Sequence, residues 1–270
     1  MWHGSISAIA IASVVCGCSG AVHQLPHLNQ SNLTMAQTEV QAAGGAPLRH
    51  GVSDDEFSST LKSSLARIKP SATELCREMA VGVCEWRFMK SNDHSLNAGA
   101  GANGVIFINR GILEYAVNEE EVAMVIGHEI GHQSANHVAA GQRNQAVGAV
   151  LGAVLLGAVG ALASQNNRNS AAITRSAVNT GANIGGTIGR ISFSKEQERE
   201  ADYLSAIILY RSGMDLGKAR GFLVTMARAS GRKETGMLDT HPAGPERLAA
   251  WDKAVEEIRA SNGALPKRAH

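Results

Sequence analysis

Two histidines stand four residues apart in the HEIGH pattern at 128–132, with Glu129 directly after the first of them. Four residues are about one helical turn, so both imidazoles would share one helix face and could bind one metal ion. Apolar residues around the pattern and an acidic run before it predict a helix from about Asn118 to His137. Gly131 would cost that helix about 1 kcal/mol relative to alanine, which close packing or the site must offset. The pattern alone is equally typical of histidines held by ordinary hydrogen bonds.

A second acidic segment, SKEQEREAD at 194–202, offers the remaining groups of a metal site. A catalytic zinc site uses three protein ligands and leaves a fourth position for water. Glu198 can be the third ligand, and Asp202, one turn later, can accept the outer ring N–H of a zinc-bound histidine. The ordinary alternative is a solvated helix start with pairs of opposite charge. His137 does not fit the HExxHxxGxxH register, which would need histidine at Val138, so it is predicted to be structural.

Four motifs in order resemble the HtpX/Oma/BepA-type zinc metallopeptidases, and among them the periplasmic, outer-membrane-associated BepA and LoiP group. The motifs are HEIGH at 128–132, VIFINRGIL at 105–113, SKEQEREAD at 194–202 and THP at 240–242. The resemblance implies an α+β, predominantly α-helical fold: a zincin-like metallopeptidase domain with a small sheet whose edge strand lines the active-site cleft. It also implies one Zn²⁺ per chain and these roles: His128, His132 and Glu198 as zinc ligands, Glu129 as catalytic base, and Asp202 as the outer partner of a ligand.

His241 lies in a loop before Pro242, and Arg247 follows at the start of a predicted helix. A histidine in such a loop is usually just exposed. The resemblance implies instead that His241 can approach the zinc, take the position of the water and hold the enzyme closed. The other interpretation is that His241 or Arg247 stabilises the oxyanion of the tetrahedral intermediate. Both interpretations put His241 at the site, with Arg247 beside it.

Residues 105–109 are apolar enough for a strand and follow a glycine-rich turn. The resemblance makes this strand the edge of the cleft, where an unfolded polypeptide can add as a further strand. Asn97 and Ala98 match the family's usual Asn-Ala pair, whereas the glycine and alanine residues after them depart from its pattern. A plain hairpin turn is the alternative. The expected substrate-binding residues are Asn97, Ala98, Val105, Ile106 and Phe107.

The N-terminal sequence predicts export. Residues 1–17 resemble a signal peptide of the lipoprotein type, with Cys18 as the lipidated mature N-terminus. Ser19 is typical of sorting to the outer membrane, so the predicted location is the periplasm, anchored to the outer membrane. The first residues lack Lys and Arg, and a plain secretory signal is the alternative. The predicted organisation continues with a flexible tether at 18–53, the metallopeptidase domain at 54–262 and a tail at 263–270.

Two further features leave alternatives open. Cys76 and Cys84 lie too far apart for a disulfide on one continuous helix, but they can bridge if the helix ends at Gly82 and the chain runs back as a strand. Two buried thiols are the alternative. Residues 146–163 contain only Ala, Val, Gly and Leu. They predict either a transmembrane or membrane-leaning hairpin or, as favoured, tightly packed helices over the active site.

The expected function is that of a zinc-dependent endopeptidase that hydrolyses misfolded or stalled envelope proteins in protein quality control. Its partners would be unfolded or misfolded polypeptides, the outer membrane through the lipid anchor, and envelope assembly machinery. A net charge of +1 gives no reason to propose nucleic acid. Two alternatives stay open: a chaperone or assembly factor for outer-membrane proteins whose protease site is mostly closed by His241, and a structural lipoprotein with a vestigial motif.

Overall fold

Helices dominate the chain and surround a small sheet, which confirms the predicted α+β, predominantly helical fold. The computed structural model describes residues 20–146, 150, 153, 175, 176, 179, 193–229, 241 and 243–269. The helices are α1 (Gln30–Ala42), α2 (Asp54–Met79), α3 (Gly111–Tyr115), α4 (Glu119–Ser134), α5 (Lys195–Arg211), α6 (Leu216–Ala229) and α7 (Pro245–Ala260). The strands are β1 (Arg87–Ser91), β2 (Ala98–Ala100) and β3 (Val105–Asn109), with a 3-10 turn at Ala102–Gly104 and further helical residues at 137–146.

Several predictions fall outside the described residues. These are the signal peptide with Cys18 and nearly all of the Ala/Val/Gly/Leu segment 146–163. Within the ranges that the structure describes, no helix combines the length and the apolar character needed to cross a membrane.

Helix α4 lies at the centre of the core. Asn118 caps it by accepting the backbone N–H of Glu121, and the acidic first turn suits the positive end of the helix dipole. Every residue from Glu121 to Ser134 is buried, and α2, α5 and α6 pack around the helix. It ends at Ser134, short of the predicted His137, because Asn136 adopts a left-handed backbone with φ 60° and a new helical segment follows.

The sheet has the strand order β1-β3-β2, with β1 parallel and β2 antiparallel to β3. β3 is therefore the central strand. The prediction that residues 105–109, which include Val105, Ile106 and Phe107, form an edge strand was wrong. Apolar content identifies a strand but carries no information about its neighbours. The edge strand that packs against α4 is β2, which begins at Ala98.

Cys76 and Cys84 form a disulfide with their Cα atoms 5.6 Å apart. Helix α2 ends at Met79, earlier than Gly82, and Ala80 takes the left-handed conformation that terminates it. Gly82 then lies directly against the end of α4, where any Cβ would collide with backbone carbonyl oxygens. The disulfide thus closes a tight turn between α2 and β1 that rests on the helix carrying the HEIGH pattern.

The predicted flexible tether at 18–53 is folded over much of its described length. Helix α1 begins with a capping box at Asn29 and packs against α7 and α6. Arg220 of α6 donates to both carboxylate oxygens of Glu39, at 2.6 and 2.7 Å. Ala36 is buried and Leu33 and Val40 are half-buried against the core, so a single narrow apolar face docks together with these ionic contacts, and the rest of the helix is polar. That is why its composition suggested a tether.

The predicted tail at 263–270 also differs, because residues 263–269 are packed onto the molecule. His23 and Arg268 form an antiparallel bridge, flanked on both sides by backbone hydrogen bonds. Residues 20–28, named the strap from here on, therefore lie between this C-terminal segment and α5, where the Arg199 guanidinium donates to the carbonyl of Pro26 at 2.6 Å. Because the sequence of these terminal residues is largely polar, it did not predict that they pair with each other.

Candidate metal centre

Helices α4 and α5 approach each other closely through two glycines on α4. A Cβ at Gly127 would lie 2.7 Å from the Ser205 hydroxyl, and a Cβ at Gly131 would lie 3.0 Å from the carbonyl oxygen of Ala201. Ser205 also donates to the Met124 carbonyl at 2.8 Å, which links the two helices. The intrinsic cost of Gly131 is thus offset by close packing, which brings the acidic face of α5 against the histidine face of α4.

Helix α5 supplies Glu198 and Asp202, one turn apart. Ser194 caps the helix and forms a capping box with Gln197, so the helix begins one turn before Glu198. The Glu198 carboxylate reaches both histidines of α4: Oε2 lies 3.4 Å from His128 Nε2, and Oε1 lies 3.5 Å from His132 Nε2. The ordinary alternative, a solvated acidic helix start, does not apply, because Glu198 and Asp202 are each only 1% exposed.

His241 completes a cluster of four buried side chains. One potential ligand atom from each of His128, His132, Glu198 and His241 lies within 4.8 Å of the others. The Nε2 atoms of His128 and His132 are 3.0 Å apart, and His241 Nδ1 lies 2.9 Å from Glu198 Oε1. Nitrogen and carboxylate donors that converge on one point in this way are the donor set that zinc prefers, so the cluster is compatible with a metal site.

Asp202 and Arg247 fix the ring of His128. Asp202 Oδ1 lies 2.8 Å from His128 Nδ1, which leaves Nε2 to face the cluster. Arg247 binds the Asp202 carboxylate through Nε and Nη2, at 2.8 and 2.7 Å, and its Nη1 lies 3.0 Å from Glu198 Oε2. Because all of its nitrogens face these carboxylates, Arg247 is poorly placed for the oxyanion role considered from the sequence.

The charges of the cluster depend strongly on burial and on neighbouring groups. Burial lowers the pKa of His128, but Asp202 more than offsets this and raises it to about 9. Burial also lowers the pKa of His132, here well below its usual value, which favours the neutral imidazole that binds metal. For Glu198, burial raises the pKa, yet His241 and Arg247 outweigh it and hold the pKa well below its usual value. Glu198 therefore stays anionic.

Glu129 is buried without a hydrogen-bond partner for either carboxylate oxygen among the described residues. His241 Nε2 lies 3.7 Å from Glu129 Oε1, beyond hydrogen-bond distance. Desolvation of a carboxylate that is buried without a partner costs on the order of several kcal/mol. Its survival beside the converging nitrogens fits a site that receives a cation and water.

Residues 63–255 match the model of Peptidase family M48. The chain belongs to this family. The predicted resemblance to HtpX/Oma/BepA-type peptidases is thereby confirmed, and the match contains all the residues of the cluster.

Curated relatives of this M48 chain carry protease names. The Beta-barrel assembly-enhancing protease of Escherichia coli (strain K12) is 31% identical over 177 residues, which are 64% of this chain and 35% of the relative. The Mitochondrial metalloendopeptidase OMA1 of Arabidopsis thaliana is 31% identical over 174 residues, 64% of this chain and 32% of the relative. The Metalloprotease LoiP of Escherichia coli (strain K12) is 29% identical over 152 residues, 56% of each protein. The M48 chain thus spans about a third of the length of the first two.

The structure brings most of the predicted site residues of the M48 chain together and separates the rest. The four side chains that could hold a metal ion form one buried group with Glu129, Asp202 and Arg247. Asn97 and Ala98 lie elsewhere, at the start of edge strand β2, where the Asn97 carbonyl accepts the N–H of Asn109 at 3.0 Å. Gln133, directly after His132, connects the two regions by donating to the carbonyl of Gly101 at 2.7 Å.

Four further residues, to which the sequence assigned no role at the site, lie against the cluster or behind it. Phe193 stacks on the His132 ring, with centroids 3.7 Å apart. His137 Nδ1 lies 3.0 Å from His132 Nδ1, and Glu200 and His23 lie behind His137. Burial raises the pKa of Glu200, but hydrogen bonds from His137 and His23 lower it to about 2. Glu200 is the middle acid of EREAD and His137 follows HEIGH by five residues, so their positions were a usable signal, whereas His23 offered none.

Proposed function

We propose that the M48 chain is a zinc-dependent endopeptidase with one Zn²⁺ per chain, held by His128, His132 and Glu198. The observation that carries the proposal is the convergence of these three donors beside the unpartnered carboxylate of Glu129. Bound zinc would lower the pKa of a water molecule from 15.7 toward about 7 and polarise the scissile carbonyl.

Glu129 is the proposed general base. It follows ligand His128 directly, is fully buried, and its oxygens are not engaged by other described residues. It would take a proton from the attacking water and later donate it to the leaving amine. Asp202 and Arg247 act outside the ligand set: Asp202 accepts from His128 Nδ1, and Arg247 holds the carboxylates of Asp202 and Glu198 in place.

His241 is proposed to restrain the enzyme. Four protein donors would fill the tetrahedral set that zinc prefers, and a catalytic site needs one position for water. With its ring nitrogen within the cluster, His241 is placed to occupy that position. Its withdrawal would open the site, while the oxyanion role remains the alternative for the open state.

The substrate is proposed to be an extended polypeptide that pairs with edge strand β2. β2 pairs with β3 on one side only among the described residues, and it packs against α4. Backbone pairing recognises extension rather than sequence, which suits unfolded or misfolded chains. Asn97 and Ala98 would contact such a substrate directly, whereas Val105, Ile106 and Phe107 would act only by supporting β2.

The setting is proposed to be the cell envelope, with a role in protein quality control. The name of the relative that enhances β-barrel assembly supports an envelope location and a link to assembly machinery. The lipoprotein-type sequence at 1–17 and Cys18 supports anchoring to the outer membrane. The proposed organisation then has the catalytic domain at about 54–262, with the strap and α1 docked on it rather than forming a flexible tether.

The test is the metal content and casein cleavage of the full chain, compared with Glu129→Gln and His241→Ala. We expect one zinc per chain in all three. Glu129→Gln should lose activity by about 10²–10⁴-fold, since a general base contributes that much. His241→Ala should be more active than the wild type, and His50→Ala, which alters an exposed histidine, should leave activity unchanged. The proposal would be wrong if the wild-type chain bound no zinc.

A chaperone or assembly factor is the second candidate, because four donors already converge and the site can be closed. Here zinc would have a structural role. If Glu129→Gln binds zinc, lacks protease activity and still supports envelope assembly in cells, binding rather than proteolysis is the main function. Loss of both activities together would exclude this candidate.

A further inference from the structure

A line of buried polar contacts runs behind His132, and peptide hydrolysis as proposed makes no use of it. His132 Nδ1 lies 3.0 Å from His137 Nδ1, and His137 Nε2 lies 2.9 Å from Glu200 Oε2. Glu200 Oε1 in turn lies 2.7 Å from His23 Nδ1. All four side chains are at most 3% exposed. A cluster of three histidines and a carboxylate in the core needs a reason beyond packing, since such groups are costly to bury.

The hydrogen bonds determine which ring nitrogens carry protons. A carboxylate only accepts, so His137 must donate to Glu200 from Nε2. In the neutral ring, His137 Nδ1 is then an acceptor, and His132 must donate to it from its own Nδ1. The proton of His132 is thereby kept on Nδ1, and the lone pair of Nε2 is directed into the metal cluster.

Glu200 is held by donors from two other parts of the chain. It accepts the backbone N–H of Val22 and of His23, each at 2.8 Å, in addition to both imidazoles. These four donors match the roughly four lone-pair sites of a carboxylate. Two of the three contributing segments, α5 and the region after α4, belong to the matched family region, but the strap at 20–28 lies outside it.

We propose that His137 and Glu200 are positioning residues for His132, and that the strap is part of the same support because it fixes Glu200. The inference rests on the proposed function, since the lone pair of His132 matters only if a metal binds there. The two ligand histidines then have separate supports: Asp202 and Arg247 for His128, and His137, Glu200 and the strap for His132.

The first test compares His137→Leu with His137→Asn in the full chain. The asparagine side-chain oxygen takes the place of Nδ1 and can still accept from His132, whereas leucine cannot. The zinc dissociation constant is measured by competition with a chromophoric chelator, and the visible spectrum of the Co²⁺-loaded chain reports the ligand geometry. We expect His137→Leu to raise the dissociation constant by about 10–100-fold and to alter the spectrum, and His137→Asn to recover most of the affinity.

The second test addresses Glu200 and the strap. In Glu200→Gln the amide can donate to His137 Nε2, so that His137 would donate from Nδ1 to His132 instead of accepting from it. We expect the zinc dissociation constant to rise by about 10–100-fold. His23→Ala should change it in the same direction but less. The controls are His27→Ala, an exposed histidine of the same strap, and Glu121→Gln, a buried carboxylate that also accepts a backbone N–H but lies away from the cluster. Both controls should keep wild-type affinity.

The outcomes separate the two proposals. If wild-type protein takes up no zinc, the proposed function fails and this inference fails with it. If the wild type binds zinc but His137→Leu and Glu200→Gln bind it equally well, with only a lower melting temperature, the residues are structural and the inference alone is wrong. Should His137→Leu not fold, the milder His23→Ala and Glu200→Gln decide: unchanged affinity in both overturns the inference.

Discussion

Arg247 shows how one residue can hold two buried anions beside the candidate metal site. Glu198 and Asp202 both face the same histidine, and their mutual repulsion is offset by the guanidinium that contacts each of them. Burial of Arg247 would favour its neutral form, yet the two carboxylates more than compensate and raise its pKa above the ordinary value. Arginine suits this position because its planar fork engages one carboxylate with two nitrogens and leaves a third for its neighbour.

Replacement of Arg247 is therefore predicted to destabilise the fold strongly. Arg247→Leu leaves two buried carboxylates without their cation, and removal of one partner from a buried ion pair costs about 3–5 kcal/mol. Arg247→Lys keeps the charge but not the fork, so it should lose less. Urea unfolding of the metal-free chain measures both. Equal stability of the leucine variant and the wild type would contradict the role given to Arg247.

At the scale of elements, the contact between α4 and α5 determines the geometry of the candidate site. Each of these helices presents two polar groups one turn apart, and the groups meet only because the helix backbones come close at Gly127 and Gly131. The spacing of these residues in the sequence predicted the candidate ligands. It did not reveal that the glycines of the HEIGH region serve the neighbouring helix.

Gly131→Ala is predicted to weaken metal binding and to destabilise the protein, although alanine favours an isolated helix by about 1 kcal/mol. The added Cβ would lie 3.0 Å from the Ala201 carbonyl, so α5 must shift and carry Glu198 with it. Zinc affinity and urea unfolding measure the two effects. Gly217→Ala is the control, because the atom nearest to the added Cβ is a side-chain oxygen of Asp215, at 3.1 Å, and no backbone of another helix lies within 4 Å. A more stable Gly131→Ala chain with unchanged affinity would be the opposite result.

The disulfide is predicted to stabilise the turn between α2 and β1. The cysteines are 8 residues apart, and closing a loop of that size removes about 2–3 kcal/mol of unfolded-state entropy in the chain-entropy estimate. The double variant Cys76→Ala with Cys84→Ser should lose about that much unfolding free energy. Reductant should lower the stability of the wild type to a similar degree and leave the variant unaffected. If reductant has no effect on the wild type, the bridge does not form in solution.

At the scale of the whole molecule, the metal cluster joins segments that are far apart in sequence. α4, α5 and the loop at His241 all contribute donors, and each donor is buried. In the metal-free chain these nitrogens and carboxylates face one another at a cost, because burial of polar groups without full compensation is unfavourable. A bound ion would relieve that cost and link the three segments.

Zinc removal is accordingly predicted to lower global stability. With free zinc about a hundredfold above its dissociation constant, a ligand that binds only the folded state contributes about 2.7 kcal/mol. Thermal unfolding with and without EDTA measures this. Glu129→Gln should keep the stabilisation, since Glu129 is not a proposed ligand, whereas His132→Ala should lose most of it. Identical melting temperatures for the wild type in zinc and in EDTA would argue against a resident metal.

The sequence predicted the candidate site best where side chains able to bind a metal recur one helical turn apart. His128, His132, Glu198 and Asp202 could be predicted because their pairs lie one turn apart. Strand order was not predictable, because the apolar pattern of β3 fits a central or an edge strand equally well. The docking of α1 and the strap was missed for a related reason: each packs only a few apolar side chains against the core and is otherwise held by salt bridges and hydrogen bonds.

The pairing of the strap with residues 267–269 has a consequence for the order in which the protein matures. Gln24 and Arg268, which are hydrogen-bonded, lie 244 residues apart in the chain. Until residue 269 has been added to the chain, the strap cannot complete its pairing with residues 267–269, even if α4 and α5 already pack together. Full support of His132 would then require residues 267–269, so a chain cut before Lys267 is expected to bind metal poorly even when α4 and α5 are folded.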